Sequence, residues 1–192
     1  MKKIAYALAA LLAAGVAQAD EAAHAYVSVA GGVTHISADC AGITSCDKSD
    51  TGGKIVAGYS FGNGFGLEAG YVSFGKLRAT DGTQRATNGN ISTAIKPAAL
   101  TVGGVFTLPL DDEWGMNFRL GVGRVKTKFD SMVGTDRVTG SDTKTKFYGG
   151  LGVTYALSPS VKLELGLDTT QGEIYGEKGT LRLISLGARF AF

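Results

Sequence analysis

The stretch Leu181-Arg182-Leu183-Ile184-Ser185-Leu186-Gly187-Ala188-Arg189-Phe190-Ala191-Phe192 decides how this chain is read. Side chains of an extended strand alternate between its two faces. Ile184, Leu186, Ala188, Phe190 and Phe192 therefore share one face, and Ser185, Gly187, Arg189 and Ala191 share the other. A face this regularly apolar belongs either to an amphipathic edge strand of a soluble sheet or to a strand that meets lipid. The remainder of the chain chooses between them.

Seven earlier segments show the same period of two. They run over 25–34, 53–61, 65–74, 98–108, 114–125, 146–157 and 161–168. In the fifth, Trp114, Met116, Phe118, Leu120 and Val122 oppose Asn117, Arg119, Gly121 and Gly123; in the seventh, Val161, Leu163, Leu165 and Leu167 oppose Lys162, Glu164, Gly166 and Asp168. Eight strands of this kind approach the roughly 9–11 residues that a tilted membrane strand needs. The connections after the second, fourth and sixth strands are short, and those after the first, third, fifth and seventh are long and polar. Pro97, Pro109 and Pro159 all fall at strand ends or turns, where a missing donor does little harm.

The first residues point to export. Lys2 and Lys3 precede an apolar run from Ile4 to Val16, and Ala17-Gln18-Ala19 is a small-residue cleavage site. The expectation is a signal peptide over 1–19, cut before Asp20, and one domain over 20–192. The apolar run is too short to span a bilayer as a helix, and no later segment is long enough. A chain of this kind enters a membrane only as a closed barrel, because lipid leaves no backbone group unpaired. Without Lys2 and Lys3 the 19 basic residues fall to 17, equal to the 17 acidic ones. A chain without basic excess is a poor nucleic-acid binder.

A soluble eight-stranded barrel also alternates, but with its apolar face inward. Here the polar face is built from Gly, Ser, Thr and Ala, which suits a narrow interior and makes a poor solvent surface. Aromatic residues gather near the strand ends: Tyr59, Phe61, Phe65, Trp114, Tyr155, Phe190 and Phe192 at the short-turn end, Tyr71 and Phe147 toward the other. Such girdles mark lipid interfaces. The reading is all-β: an up-and-down antiparallel transmembrane barrel of about eight strands.

Several stretches carry a resemblance: Ser45-Cys46-Asp47-Lys48-Ser49-Asp50-Thr51-Gly52, Gly58-Tyr59, Leu67-Glu68-Ala69-Gly70-Tyr71, Gly75-Lys76 and the terminal Phe192. The chain resembles the OmpA-like transmembrane-domain family, with OmpX- and Ail-type barrels as structural cousins, over nearly all of its mature length. The resemblance implies the outer membrane of a Gram-negative bacterium. It also implies that the last strand, through Ile184, Leu186, Phe190 and Phe192, is the tag read by the assembly machinery. The resemblance to full-length OmpA does not extend to a peptidoglycan-binding domain.

Charges on the inward face must be paired in a low-dielectric interior. Lys54, Glu68, Arg119, Lys162, Glu164, Asp168 and Arg189 all have inward parity, and Glu68, Arg119, Glu164 and Arg189 count to similar depths. These four are expected to form a salt-bridge layer that fills the barrel; the alternative is a narrow wet pore, a small porin-like passive channel. At the outer strand ends Lys76, Arg78, Arg124, Lys126, Lys128 and Lys146 are candidates for lipopolysaccharide phosphates. Cys40 and Cys46, an even pair in an exported chain, are expected to form a disulfide in the first outer loop; a metal pair would need ligands beyond His24 and His35.

No cofactor motif is present, and a lone Gly149-Gly150-Leu151-Gly152 is barrel packing rather than a phosphate loop. His35-Ile36-Ser37 superficially resembles the His-x-Ser element of lipid A deacylases, a remote enzymatic alternative. That family places the element on a late strand beside an orienting Glu, whereas here it ends the first. The expectation is a non-enzymatic, monomeric envelope barrel with a structural or surface-interaction role, partnered by outer-membrane lipids and open to ligands at its outer loops.

Overall fold

The structure, a computed structural model, describes residues 23–37, 45–81, 91–133, 136–174 and 177–192. Ten strands account for nearly all of them: β1 (His24–Ser37), β2 (Ser45–Asp47), β3 (Ser49–Ser60), β4 (Phe65–Ser73), β5 (Leu77–Asp81), β6 (Ile91–Pro109), β7 (Trp114–Val133), β8 (Asp136–Ser158), β9 (Val161–Ile174) and β10 (Glu177–Ala191). β2 with β3, and β4 with β5, are each one stave with a short interruption, so the barrel has eight. Every pairing is antiparallel, and β1 closes on β10 from Tyr26↔Ala191 to Ser37↔Thr180. Closure leaves the wall without an edge, which a sheet in lipid requires.

Alternation sorts the side chains as the sequence predicts. Val29, Val33, Ile55, Leu67, Leu120, Leu151, Leu165, Ile184 and Leu186 are exposed on the wall, while Ser28, Lys54, Glu68, Asn117, Arg119, Glu164 and Ser185 are buried inside. On β7 the apolar outward run from Trp114 to Val122 spans about 26 Å along the strand at ~3.3 Å per residue. At a tilt of about 40° that is roughly 20 Å of height, close to the apolar band of a membrane barrel. The lower girdle is made of touching rings: Trp114 with Tyr155 at 4.9 Å, Phe65 with Phe106 at 4.9 Å, Tyr59 with Phe61 at 5.6 Å.

Two features depart from the sequence reading. The long outer connections are largely strand, not loop. β7 continues to Val133 and β8 resumes at Asp136, paired throughout from Trp114↔Tyr155 to Val133↔Asp136. Above the lipid the outward face meets water instead of acyl chains, so Lys126-Thr127-Lys128 and Thr143-Lys144-Thr145 lose hydrophobic alternation without losing backbone pairing.

The interior is also not uniformly small and polar. Toward the hairpin end Ile36, Val72, Phe74, Ala99, Val125, Tyr148, Leu181 and Leu183 pack as one apolar cluster. Phe74 and Leu183 are completely buried. Phe74 is delivered by a fixed kink between β4 and β5. Gly75 there has φ +72°, and a Cβ would lie 2.5 Å from the Thr51 carbonyl. The Phe74 N–H donates to the Pro97 carbonyl at 3.1 Å, and the Lys76 N–H donates to Asp50 Oδ2 at 2.7 Å.

Candidate functional site

The barrel interior below the apolar cluster holds three cations and three anions in one hydrogen-bonded array. Inward positions on β3, β4, β7, β9 and β10 bring them together. Arg119 Nε donates to Glu68 Oε2 at 2.7 Å, and its Nη2 donates to both Glu164 oxygens at 2.9 and 2.8 Å. Arg189 Nη2 donates to Glu164 Oε2 at 2.8 Å and lies 3.6 Å from Glu68 Oε1. Glu68, Arg119, Glu164 and Arg189 thus form one cluster. Lys54 extends it, with Nζ 3.2 Å from Glu164 Oε1 and 2.8 Å from Asp168 Oδ2.

Neutral donors join the array. Tyr26 OH donates to Glu68 Oε1 at 2.6 Å, and its ring lies 4.3 Å below the Arg189 guanidinium carbon. Tyr148 OH donates to Asp168 Oδ1 while its ring belongs to the apolar cluster, so one side chain joins the two plugs. Asn117 donates to Glu164 Oε2 at 3.4 Å and accepts from Thr107 Oγ1 at 2.9 Å. Glu164 is the hub, accepting from Lys54, Arg119, Arg189 and Asn117.

Space for these long side chains comes from inward glycines. A Cβ on Gly58 would stand 2.3 Å from Tyr26 Cζ, one on Gly150 2.8 Å from Asp168 Oδ1, and one on Gly166 3.1 Å from Lys54 Nζ. The glycine-rich face of the sequence is therefore room for charge. Tyr26 and Tyr148 carry the same inward parity as their small neighbours, and that parity was the signal available for them. Lys54 and Asp168 were inward by sequence too, but the stagger of barrel strands hides their shared depth.

Below the array the interior opens toward the short turns as a cavity of about 760 Å³, lined by His24, Ser60, Thr107, Thr154, Lys162 and Ala191 among others; at the level of the array the spaces are small. A cavity of about 20 Å³ lies beside Tyr26, Lys162 and Arg189, and one of about 10 Å³ beside Glu68, Arg119 and Tyr148. Each has room for about one water molecule.

The remaining sequence candidates lie outside the array. Lys76, Arg78, Arg124, Lys126 and Lys128 line one concavity on the outer wall. Lys146 does not join them: its ammonium is paired with Glu173 and its side chain is only 17% exposed. Ile184, Leu186, Phe190 and Phe192 all point outward and are exposed. The Cys40–Cys46 pairing and the segment 1–19 lie outside the described residues, apart from the Cys46 backbone in β2. His35 is exposed with Nδ1 3.2 Å from Ser49 Oγ. No carboxylate is among its hydrogen-bond partners in the described residues.

The comparisons with known proteins match this geometry. The family model for the outer membrane protein beta-barrel domain matches residues 5–192. Among solved structures, the attachment invasion locus protein Ail of Yersinia pestis is 21% identical with a TM-score of 0.56, covering 89% of this chain and 99% of Ail. Neisserial surface protein A is 19% identical with a TM-score of 0.60, covering 90% and 100%. OprG from Pseudomonas aeruginosa is 15% identical with a TM-score of 0.54, covering 91% and 99%. No curated protein matches the chain. Its closed eight-stave ring, apolar wall and matched length place this chain in the outer membrane protein beta-barrel domain family.

Proposed function

We propose that this outer-membrane barrel is sealed and acts at the cell surface and in envelope integrity, as neither a diffusion channel nor an enzyme. The observation that carries this reading is the double closure of the interior. The ion array and the apolar cluster are stacked in series and share Tyr148. An eight-stranded barrel has an interior that side chains can fill, and here the array and the cluster fill it at two successive levels.

Function then falls to the outside. The chain is exported by residues 1–19 with cleavage before Asp20, and the outward residues Ile184, Leu186, Phe190 and Phe192 are presented to the assembly machinery. The outer basic side chains meet lipopolysaccharide, and the tall β6–β7–β8 hairpins offer a surface to external ligands. The closed ring has no edge to pair with a second copy, which supports a monomer.

A strain lacking the protein is expected to become several-fold more sensitive to detergent while its uptake of small solutes stays unchanged. Slower solute uptake at unchanged detergent tolerance would favour the channel instead.

A further inference from the structure

Just above the apolar band, six cationic side chains converge on the outer wall. On β7 the outward residues change from Leu120 and Val122 to Arg124, Lys126 and Lys128. The β6–β7 register sets Leu100 opposite Arg124 and Lys96 opposite Lys128. The β4–β5 kink brings Lys76 and Arg78 to the same place. The resulting concavity has a volume of about 850 Å³, and Tyr71 and Leu100, paired across β4 and β6, form its membrane-side edge.

This cluster carries an excess of positive charge: six cations line the concavity with one carboxylate, Asp50, among the described residues. Lys96 and Lys128 are like charges placed directly across a ladder, an arrangement that repels. None of the six forms an ion pair with a carboxylate among the described residues, and the nearby Asp130 is taken by Arg137. Asp50 is the only carboxylate lining the concavity among the described residues. Its two oxygens already accept the N–H groups of Thr51 and Lys76, which hold its carboxyl below the usual range. In a chain whose mature charges balance, this is a local excess without internal purpose. A phosphate engages two or three cationic donors at once, so six cations match more than one phosphate. The apolar edge continues into the lipid-facing wall and suits acyl chains.

We propose that this concavity seats the head group of one outer-leaflet lipid carrying at least two phosphates, its acyl chains descending past Tyr71 and Leu100. The proposal rests on the surface-acting reading given above and adds a single seat completed by Lys96, its stoichiometry of one lipid, and direct contact of its phosphates with side chains. With no free carboxylate lining the concavity among the described residues, the phosphates are met directly by side chains, without a bridging divalent cation.

The test titrates the full mature barrel in detergent micelles with bis-phosphorylated lipid A, read by native mass spectrometry. One lipid is expected to bind per barrel, about tenfold tighter than the same lipid with both phosphates removed, a difference of ~1.4 kcal/mol. Binding is expected to survive EDTA and to resist a tenfold excess of sodium pyrophosphate. The double variant Lys96→Gln/Lys128→Gln is expected to lose about tenfold in affinity, and Arg182→Gln, an exposed position on β10, to stay within about twofold. Equal affinity for the dephosphorylated lipid, or an unchanged double variant, would overturn the site. Displacement by pyrophosphate would make it a soluble-anion site, and loss in EDTA a metal-bridged one; either overturns the proposal. A barrel that is sealed but binds no lipid overturns this site and the lipopolysaccharide contact while leaving the sealed-barrel reading, whereas a conducting barrel overturns the functional reading and leaves the titration to stand.

Discussion

Replacing Glu164 with Gln is expected to destabilise the folded barrel by about 3–5 kcal/mol, the usual cost of stranding a buried charge. Glu164 is 1% exposed and accepts from Lys54, Arg119, Arg189 and Asn117. Without its charge the three cations face only Glu68 and Asp168, so one positive charge stays buried without a counter-ion. Gln retains the shape and one acceptor, which isolates the electrostatic part. Adding Arg189→Met leaves Lys54 with Asp168 and Arg119 with Glu68, two cations against two anions, and the double variant is expected to be more stable than Glu164→Gln alone by at least about 1 kcal/mol, through the coupling seen between residues of one network. Urea unfolding of the barrel in lipid vesicles, followed by Trp114 fluorescence and heat-dependent gel mobility, reads both numbers. A single variant within about 0.5 kcal/mol of wild type would show that these charges are solvated separately.

Phe74→Ala is expected to cost a similar about 3–5 kcal/mol, the range for removing a fully buried aromatic ring and leaving a cavity. Phe74 is completely buried among Ile36, Val72, Ala99, Val125, Leu181 and Leu183. The kink that aims it inward is fixed by Gly75 and by backbone hydrogen bonds to Asp50 and Pro97, so the surrounding wall cannot readily collapse into the space. Leu100→Ala, on the lipid-facing side and 62% exposed, is expected to cost much less. The barrel should remain closed in Phe74→Ala, because the ion array lies below the cavity. The same urea titration measures the energy, and equal effects from the inward and outward substitutions would contradict an apolar plug.

The wall of this barrel was legible in the sequence because lipid imposes a strict alternation: every outward residue from Trp114 to Val122 is apolar, and every second one between them is not. The turns were legible through Gly62-Asn63-Gly64 and Ser158-Pro159-Ser160. The upper halves of β6, β7 and β8 were not, because strands that rise out of the lipid keep their hydrogen bonds while losing the pattern that announces them. The interior was half legible. Parity identified Glu68, Arg119, Glu164 and Arg189 as facing inward, since a charge amid glycines in an apolar strand has few other reasons to be there. Parity alone said nothing of Phe74, Leu181 and Leu183, because an apolar residue on the inward face reads as noise until closure shows what it packs against. The stagger between staves likewise hid Lys54 and Asp168 from the depth count, although both were on the correct face. The groove cations were visible as outer-end charges, but only the register of Lys96 with Lys128 and the β4–β5 kink gather them in one place.

The central claim is that the interior is closed by side chains, and single-channel recording of the purified, folded protein in a planar lipid bilayer tests it most directly. The stacked ion array and apolar cluster predict no steady ionic conductance in potassium chloride across the stable voltage range of the bilayer, at protein levels where gel mobility shows the barrel folded. A steady, reproducible opening that passes ions larger than water would contradict it.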